Sequence, residues 1–145
     1  MIAEATRLLW EEEQRWAELR VVLRRIPKAR LEEPGVTDEG WSPKDVMFHV
    51  GAWLALAARQ LERIREGTYA ADDTTTDDRN RAWFALSQTL DISTVRAELE
   101  SSRLMAHEAL AGLTEVTPEA REWFEESAPL HYAEHLPDLV RWLDG

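Results

Sequence analysis

His131-Tyr132-Ala133-Glu134-His135, near the C-terminus, is the stretch around which the rest of the chain can be arranged. Two histidines four residues apart on a helix lie about 40° apart around its axis and one turn above each other. Both imidazoles can then reach one point, as a divalent metal requires of two ligands from one helix. The pair alone is equally compatible with two amphipathic side chains that line a groove. A third histidine, His49, lies in a separate helical stretch and favours the metal interpretation.

The residues after the pair place it on the inner side of its helix. Relative to His131, Trp142 lies at about 20°, His135 at about 40° and Leu139 at about 80° around the axis. The histidines therefore share a face with apolar anchors and are predicted to point inward. Pro137 removes one backbone hydrogen bond, which predicts a kink just past the pair.

The helix that carries His49 begins at a clear start signal, Trp41-Ser42-Pro43-Lys44-Asp45. Ser42 can cap the free backbone amides and Pro43 suits the first helical position. The apolar period continues to about Glu66, where Gly67 is the predicted stop. His49 lies about 60° from Val46, at the margin of the buried stripe. A ligand that faces a cavity between helices would lie there, although a lone histidine at such a place is more often a core residue.

The N-terminal stretch from Ile2 to Arg30 has apolar residues at helical spacing and predicts one long amphipathic helix. Glu33-Pro34-Gly35 is the predicted break. Glu12 falls on the apolar stripe. We expect its carboxylate to reach water from the stripe edge; the alternative is a buried functional carboxylate.

The middle of the chain predicts a loop over 69–78, a short helical segment over 79–90 and a long helix that Ser93 caps. The loop is interpreted as a solvated connection, with a flap over a pocket mouth as the alternative. His107 lies to one side of the apolar row of the long helix and is expected to be exposed.

The last helical region is predicted to start at Thr117-Pro118-Glu119 by the same cap-then-proline pattern. Pro129 is expected to interrupt this region before the helix with the histidine pair.

Composition limits what the protein can be. A chain of 145 residues with 44% hydrophobic residues predicts a single domain over 1–145. There is no cysteine, so disulfides, thiolate ligands and a cysteine nucleophile are excluded. The net charge of −11 disfavours nucleic acid and anionic membranes as partners. The N-terminus has no secretory pattern, and a cytoplasmic protein is expected.

These patterns together predict an all-α fold, an antiparallel up-and-down four-helix bundle with a short extra helical segment before the third long helix. In an alternating bundle the second and fourth helices run parallel. His49 and the histidine pair could then lie at one level.

The two histidine segments also resemble a known family. The stretch from Gly40 to Trp53, GWSPKDVMFHVGAW, resembles the W-S-x-K-D-x-x-x-H-x-x-x-W helix of the DinB-like superfamily. The histidine pair is similar to that superfamily's closing H-x-x-x-H, and the order and separation match over nearly the whole chain. Within the superfamily the chain looks closest to the ClbS/DfsB-type and maleylpyruvate-isomerase-like bundles.

The resemblance implies a divalent metal, zinc or nickel, held by His49, His131 and His135. It also implies a catalytic site with a small-molecule substrate, since relatives include thiol S-transferases, a thiol-dependent isomerase and hydrolases that disarm electrophiles. Three neutral imidazoles leave an open coordination position, which is typical of catalytic zinc. Without cysteine in the chain, any thiol must be a low-molecular-weight cosubstrate. Isomerase activity is not expected, because the chain lacks the additional C-terminal domain of that type.

Several alternatives stay open at the level of sequence. S-transfer and hydrolysis are not separated, and a non-catalytic module that sequesters a small molecule competes with both. No catalytic residue is identified. Asp45 and Asp138 could each orient a ligand ring, but each is more readily explained as a helix-end or surface charge.

We expect a homodimer, because related bundles often pair through helix faces and a tryptophan-rich bundle can leave an apolar face exposed. Light scattering at tens of micromolar checks this expectation, and a monomer there would contradict it.

Overall fold

The computed structural model describes residues 2–71 and 73–145. Within this part of the chain there are helices and no strand. The helices are α1 (Ala3–Arg25), α2 (Pro43–Glu66), α3 (Thr76–Ser87), α4 (Ile92–Ala111), α5 (Pro118–Ser127) and α6 (Pro129–Asp144), with a 3₁₀ turn at Lys28–Arg30. Asp72, part of the predicted loop, lies outside the described residues.

The all-α four-helix bundle is confirmed. Its long members are α1, α2, α4 and the consecutive pair α5–α6, and their inner faces form one apolar core. Burial of this surface supplies the main driving force for folding. Among the completely or almost completely buried side chains are Leu8, Leu54, Leu61, Leu110, Phe124 and Leu139.

The short helix α3 returns the chain along α2. Near the start of α3, Asn80 accepts a hydrogen bond from Trp53 Nε1 at 3.1 Å. At its end, Ser87 donates to Asp45 at the beginning of α2, at 2.7 Å. The chain is thus back where α2 began, and α2 and α4 run in the same direction.

Helix α6 runs opposite to α2. Trp123, which precedes α6, donates to the Tyr69 hydroxyl beyond the end of α2, at 3.2 Å. Trp142, near the end of α6, donates to the Pro34 carbonyl ahead of the start of α2, at 3.3 Å. The expected parallel course of these two helices is therefore not found, because α3 reverses the chain before α4.

Helix α1 is shorter than predicted. It ends at Arg25, with Ile26 extended as its cap, and only a 3₁₀ turn follows to Arg30. The prediction of a helix to Arg30 is wrong because Pro27 lacks an N–H and disfavours helical geometry at the residue before it.

The predicted ends of α2 are confirmed. Ser42 Oγ accepts from the Asp45 backbone N–H, and the Asp45 carboxylate accepts from the Ser42 N–H, which forms a reciprocal capping box. At the other end Gly67 adopts a left-handed φ of 76°, a conformation that glycine reaches without steric cost.

Two helices, α3 and α4, begin at residues other than those predicted. Asp91, not Ser93, caps α4 by accepting from the Thr94 N–H at 2.8 Å. The α3 helix starts at Thr76, capped by Thr75, and so takes up the end of the predicted 69–78 loop. The interruption at Pro129 is confirmed, since α5 and α6 meet at Ala128.

Glu12 is completely buried, so the expectation that it reaches water is wrong. Its carboxylate accepts hydrogen bonds from Arg103 Nε at 2.7 Å and Nη2 at 2.9 Å, and from the Tyr132 hydroxyl at 2.8 Å. His107 Nε2 lies 2.7 Å from the same carboxylate. His107 is therefore half-buried and bonded within the bundle, not exposed as predicted. These four residues, the Glu12 network, join α1, α4 and α6.

The Glu12 network predicts a pH-dependent part of the stability. Burial alone would raise the pKa of Glu12, but hydrogen bonds from His107 and Arg103 outweigh it and hold the pKa below its ordinary value of 4.5. The stabilisation is therefore complete above pH 4.5 and is lost as the pH falls through the folded-state pKa. We expect urea unfolding at pH 7 to 3 to show a smaller acid loss in Glu12→Gln than in the wild type. Equal losses in the two proteins would contradict this assignment.

In the described part of the chain, no helix has the length and apolar character needed to cross a membrane.

Candidate metal centre

The three predicted ligands meet between α2 and α6. His49 lies in the first half of α2, where the capping box fixes the start of the helix. His131 and His135 are one turn apart on α6 and face the same side. All three side chains are buried, with exposed fractions of 7%, 6% and 9% in chain order. The histidine triad, as we call this set, thus joins two distant parts of the sequence.

The Nε2 atoms of the triad point toward one another. His131 Nε2 lies 2.9 Å from His49 Nε2 and 2.9 Å from His135 Nε2. The ring centroids of His49 and His135 are 5.0 Å apart, and their planes are nearly perpendicular at 86°. The potential ligand atoms of all three residues lie within 4.8 Å of one another.

Hydrogen bonds between the imidazoles cannot account fully for this arrangement. An imidazole nitrogen either donates one proton or accepts one with its single lone pair. His131 Nε2 therefore satisfies one of its two 2.9 Å neighbours and leaves the other contact unmatched. A cation at the point where three lone pairs converge would remove this conflict.

The environment keeps the rings neutral. Burial, together with a smaller effect of the nearby His135, lowers the pKa of His49 to about 3. Burial also holds the pKa of His131 well below its usual range, with smaller effects from His135 and His49. Burial lowers the pKa of His135 as well, although nearby carboxylates act in the opposite direction. Neutral imidazole is the form that binds metals.

The distances fit a divalent metal. A metal about 2.1 Å from each nitrogen holds two ligands at right angles about 3.0 Å apart. The two 2.9 Å separations are close to this value. Three neutral nitrogen donors suit zinc or nickel and leave coordination positions open. The histidine triad could therefore hold a divalent metal ion.

An aromatic side chain packs against the triad. The Trp41 ring lies 4.8 Å from the His49 ring and stacks on Phe84 at 6.1 Å. Trp41 precedes the α2 capping box, so its place beside His49 follows from the sharp turn that starts the helix. In the sequence Trp41 belongs to the start signal and to the family motif, but neither pattern indicates its contact with the ligand ring.

Neither candidate orienting carboxylate hydrogen-bonds to a ligand ring. The Asp45 carboxylate is occupied by Ser42, Ser87 and Gln88. Asp138 bonds to Arg141. The interpretation as helix-end and surface charges is confirmed.

A large cavity opens beside the triad, with a volume of about 940 Å³. It lies among α2, α5 and α6, and the connection after α2 closes part of its wall through Tyr69, Ala71 and Thr74. The predicted loop is therefore part of the cavity wall, not only a solvated connection. All three triad histidines line this cavity, so a ligand within it can approach the point where they converge.

A second group of residues could also supply metal ligands: Glu12, Glu13 and His107. Unlike the triad, this group already has a cationic partner. Arg103 lies 2.7 Å from Glu12 and 3.5 Å from Glu13. A guanidinium already occupies the position of the cation there. This group is an ion-pair network within the bundle.

Comparison with known proteins agrees with this architecture. The crystal structure of TT2238, a four-helix bundle protein, superposes with a TM-score of 0.65 and 22% sequence identity, covering 94% of this chain and 98% of that chain. At that identity the likeness shows the fold alone. No curated protein matches the chain at a significant level. The family model of the DinB superfamily matches residues 12–143, which include all three triad histidines. The chain therefore belongs to the DinB superfamily.

Proposed function

We propose that this protein is a divalent-metal-dependent enzyme that transfers a small thiol to, or hydrolyses, a small electrophilic molecule. His49, His131 and His135 are the proposed ligands, and zinc or nickel is the proposed metal. The observation that carries the proposal is the convergence of three buried, neutral Nε2 atoms on one point, at 2.9 Å separations. This point lies at the wall of a cavity, where a substrate can reach a catalytic metal.

His49, His131 and His135 would hold the divalent cation, which would lower the pKa of a thiol or water in the cavity and so supply a nucleophile near neutral pH. The chain's own residues contribute position and burial. Trp41 packs on His49 and limits the rotation of its ring. Trp53 and Trp123, 6.5 Å apart, form an apolar wall against which an organic substrate can pack.

The absence of cysteine from the sequence means that a sulfur nucleophile must come from a cosubstrate. In S-transfer the sulfur–carbon bond forms while the bond to the leaving group breaks with its electron pair. The thiol proton passes to solvent. In hydrolysis, water takes the place of the thiol.

Metal binding predicts a stabilised fold. At a free metal concentration 100 times the Kd, binding adds about 2.7 kcal/mol to the free energy of unfolding. For a chain of this size that raises Tm by about 5–10 °C. We expect calorimetry of chelator-treated, tag-free protein to show this rise on addition of Zn²⁺ or Ni²⁺, with about one ion per chain by elemental analysis. No rise with either ion, or with Co²⁺ and Mn²⁺, would contradict the metal centre.

Turnover distinguishes the candidate activities. The metal-loaded protein is tested with 1-chloro-2,4-dinitrobenzene and dithiothreitol for S-transfer, and with p-nitrophenyl acetate without thiol for hydrolysis. Loss of turnover on chelation and its return with metal would support the enzyme. If metal binds and no electrophile in a broad panel turns over, the cavity serves a binding module instead.

A further inference from the structure

We propose that the cavity beside the histidine triad selects a small organic cation, a molecule with a flat apolar body and a positively charged nitrogen. The identification of this ligand as the substrate rests on the proposed function. The charge preference itself follows from the cavity wall.

The cavity wall carries a large excess of negative charge. It contains seven carboxylates and two guanidinium groups, an excess of five negative charges. Asp138 bonds to Arg141. The other six carboxylates have no ion-pair partner within the part of the chain that the structure describes: Asp38, Glu39, Glu119, Glu122, Glu126 and Glu134.

The carboxylates come from separate elements that surround one concavity. Glu119, Glu122 and Glu126 repeat at helical spacing along α5, Glu134 is on α6, and Glu39 belongs to the connection before α2. A cleft lined by one sign of charge focuses the field and concentrates ions of the opposite sign. A metal in the triad would offset two of the five excess charges. The cavity would therefore still repel an anion and attract a cation.

The inner wall is aromatic. Trp41, Trp53, Tyr69 and Trp123 all line the cavity and are half-buried. The indole N–H groups of Trp53 and Trp123 are already bonded, to Asn80 and to the Tyr69 hydroxyl. Trp53 and Trp123 therefore contact a ligand mainly through their ring surfaces, and the face of an aromatic ring attracts cations through its quadrupole.

His49 lines the cavity and is 7% exposed. Its Nε2 faces His131, whereas its Nδ1 is enclosed and has no hydrogen-bond partner within the described residues. The acidic rim and the aromatic wall, and not a hydrogen bond to this ring, therefore define which ligand the cavity admits.

Three probes of similar size test the charge preference: benzyltrimethylammonium, benzyl alcohol and benzenesulfonate. Binding to the metal-loaded and the metal-free protein is followed by tryptophan fluorescence and calorimetry at about 20 mM and 500 mM salt. At low salt we expect the cation to bind at least about 10-fold more tightly than the alcohol, and the sulfonate more weakly than the alcohol. The advantage of the cation should shrink at high salt, where exposed charges are screened.

A matched pair of variants separates the cavity from the overall charge. Glu119→Gln/Glu122→Gln/Glu126→Gln removes three rim charges, whereas Glu100→Gln/Glu108→Gln/Glu115→Gln removes three exposed charges outside the cavity. We expect only the first to reduce the preference for the cation, by about 3-fold or more.

The outcomes are distinct. Equal binding of cation and alcohol, tighter binding of the sulfonate, or equal effects of the two triple variants would each overturn the charge proposal. Metal analysis of the same samples judges the proposed function separately. A cation preference in protein that binds no metal leaves the selectivity standing and removes the metal enzyme.

Discussion

His49→Ala is expected to weaken divalent-metal binding by at least about 100-fold, because loss of an outer-shell partner alone costs 10–100-fold and a direct ligand contributes more. The variant should also lose the metal-induced rise in Tm and all metal-dependent turnover. Its helix content should stay close to that of the wild type, since the bundle is held by buried leucine, valine and aromatic side chains. Titration calorimetry with Zn²⁺ and circular dichroism measure the two effects.

The chain offers its own control for this experiment. His107 is the one remaining histidine of four, and it bonds to Glu12 away from the triad. His107→Ala should therefore keep one metal per chain while it lowers stability. Equal loss of metal in His49→Ala and His107→Ala would show that the effect is not specific to the triad. Unchanged metal binding in His49→Ala would remove the proposed centre.

Glu12→Gln is expected to lower the free energy of unfolding by about 3 kcal/mol, the lower end of the range for breaking one side of a buried ion pair. The glutamine has nearly the same shape, so packing is preserved. Arg103, however, loses its buried counter-charge while its guanidinium stays fixed over Trp16. Urea unfolding at pH 7 measures the change.

Two further variants test the reason for this loss. Glu13 is 61% exposed at the side chain and lies 3.5 Å from the same guanidinium, so Glu13→Gln should cost less than about 1 kcal/mol. In Glu12→Gln/Arg103→Met both charges are removed, and part of the lost stability should return. A double variant as unstable as the sum of its singles would argue against an uncompensated charge.

The position of the Glu12 network also bears on the triad. Tyr132 donates to Glu12 from the residue next to His131 and packs on Trp16 with ring centroids 5.4 Å apart. This contact limits the rotation of α6 about its axis. His131 and His135 must face α2 together. The geometry of the candidate site therefore depends on the Glu12 network, which holds α6 in this orientation.

Much of the architecture could be predicted because the signals are local. The apolar period, the Ser42-Pro43 start and the Gly67 stop depend on backbone sterics and on hydrogen bonds within a few residues. The inward face of the histidine pair follows from helix geometry alone. The end of α1 is encoded in the same local way, since Pro27 lacks the N–H that continuing the helix requires.

The sequence by itself therefore determined the helical class, both ends of α2 and the three candidate ligands, since each is encoded in spacing along one helix or in a short motif. Only the tertiary structure decided that α3 reverses the chain, that Glu12 is buried with Arg103, and that acidic and aromatic side chains surround one cavity. These features depend on contacts between residues as far apart as Glu12 and Tyr132. Periodicity reports which side of a helix is buried, whereas the partner on that side is set by how all the helices pack together.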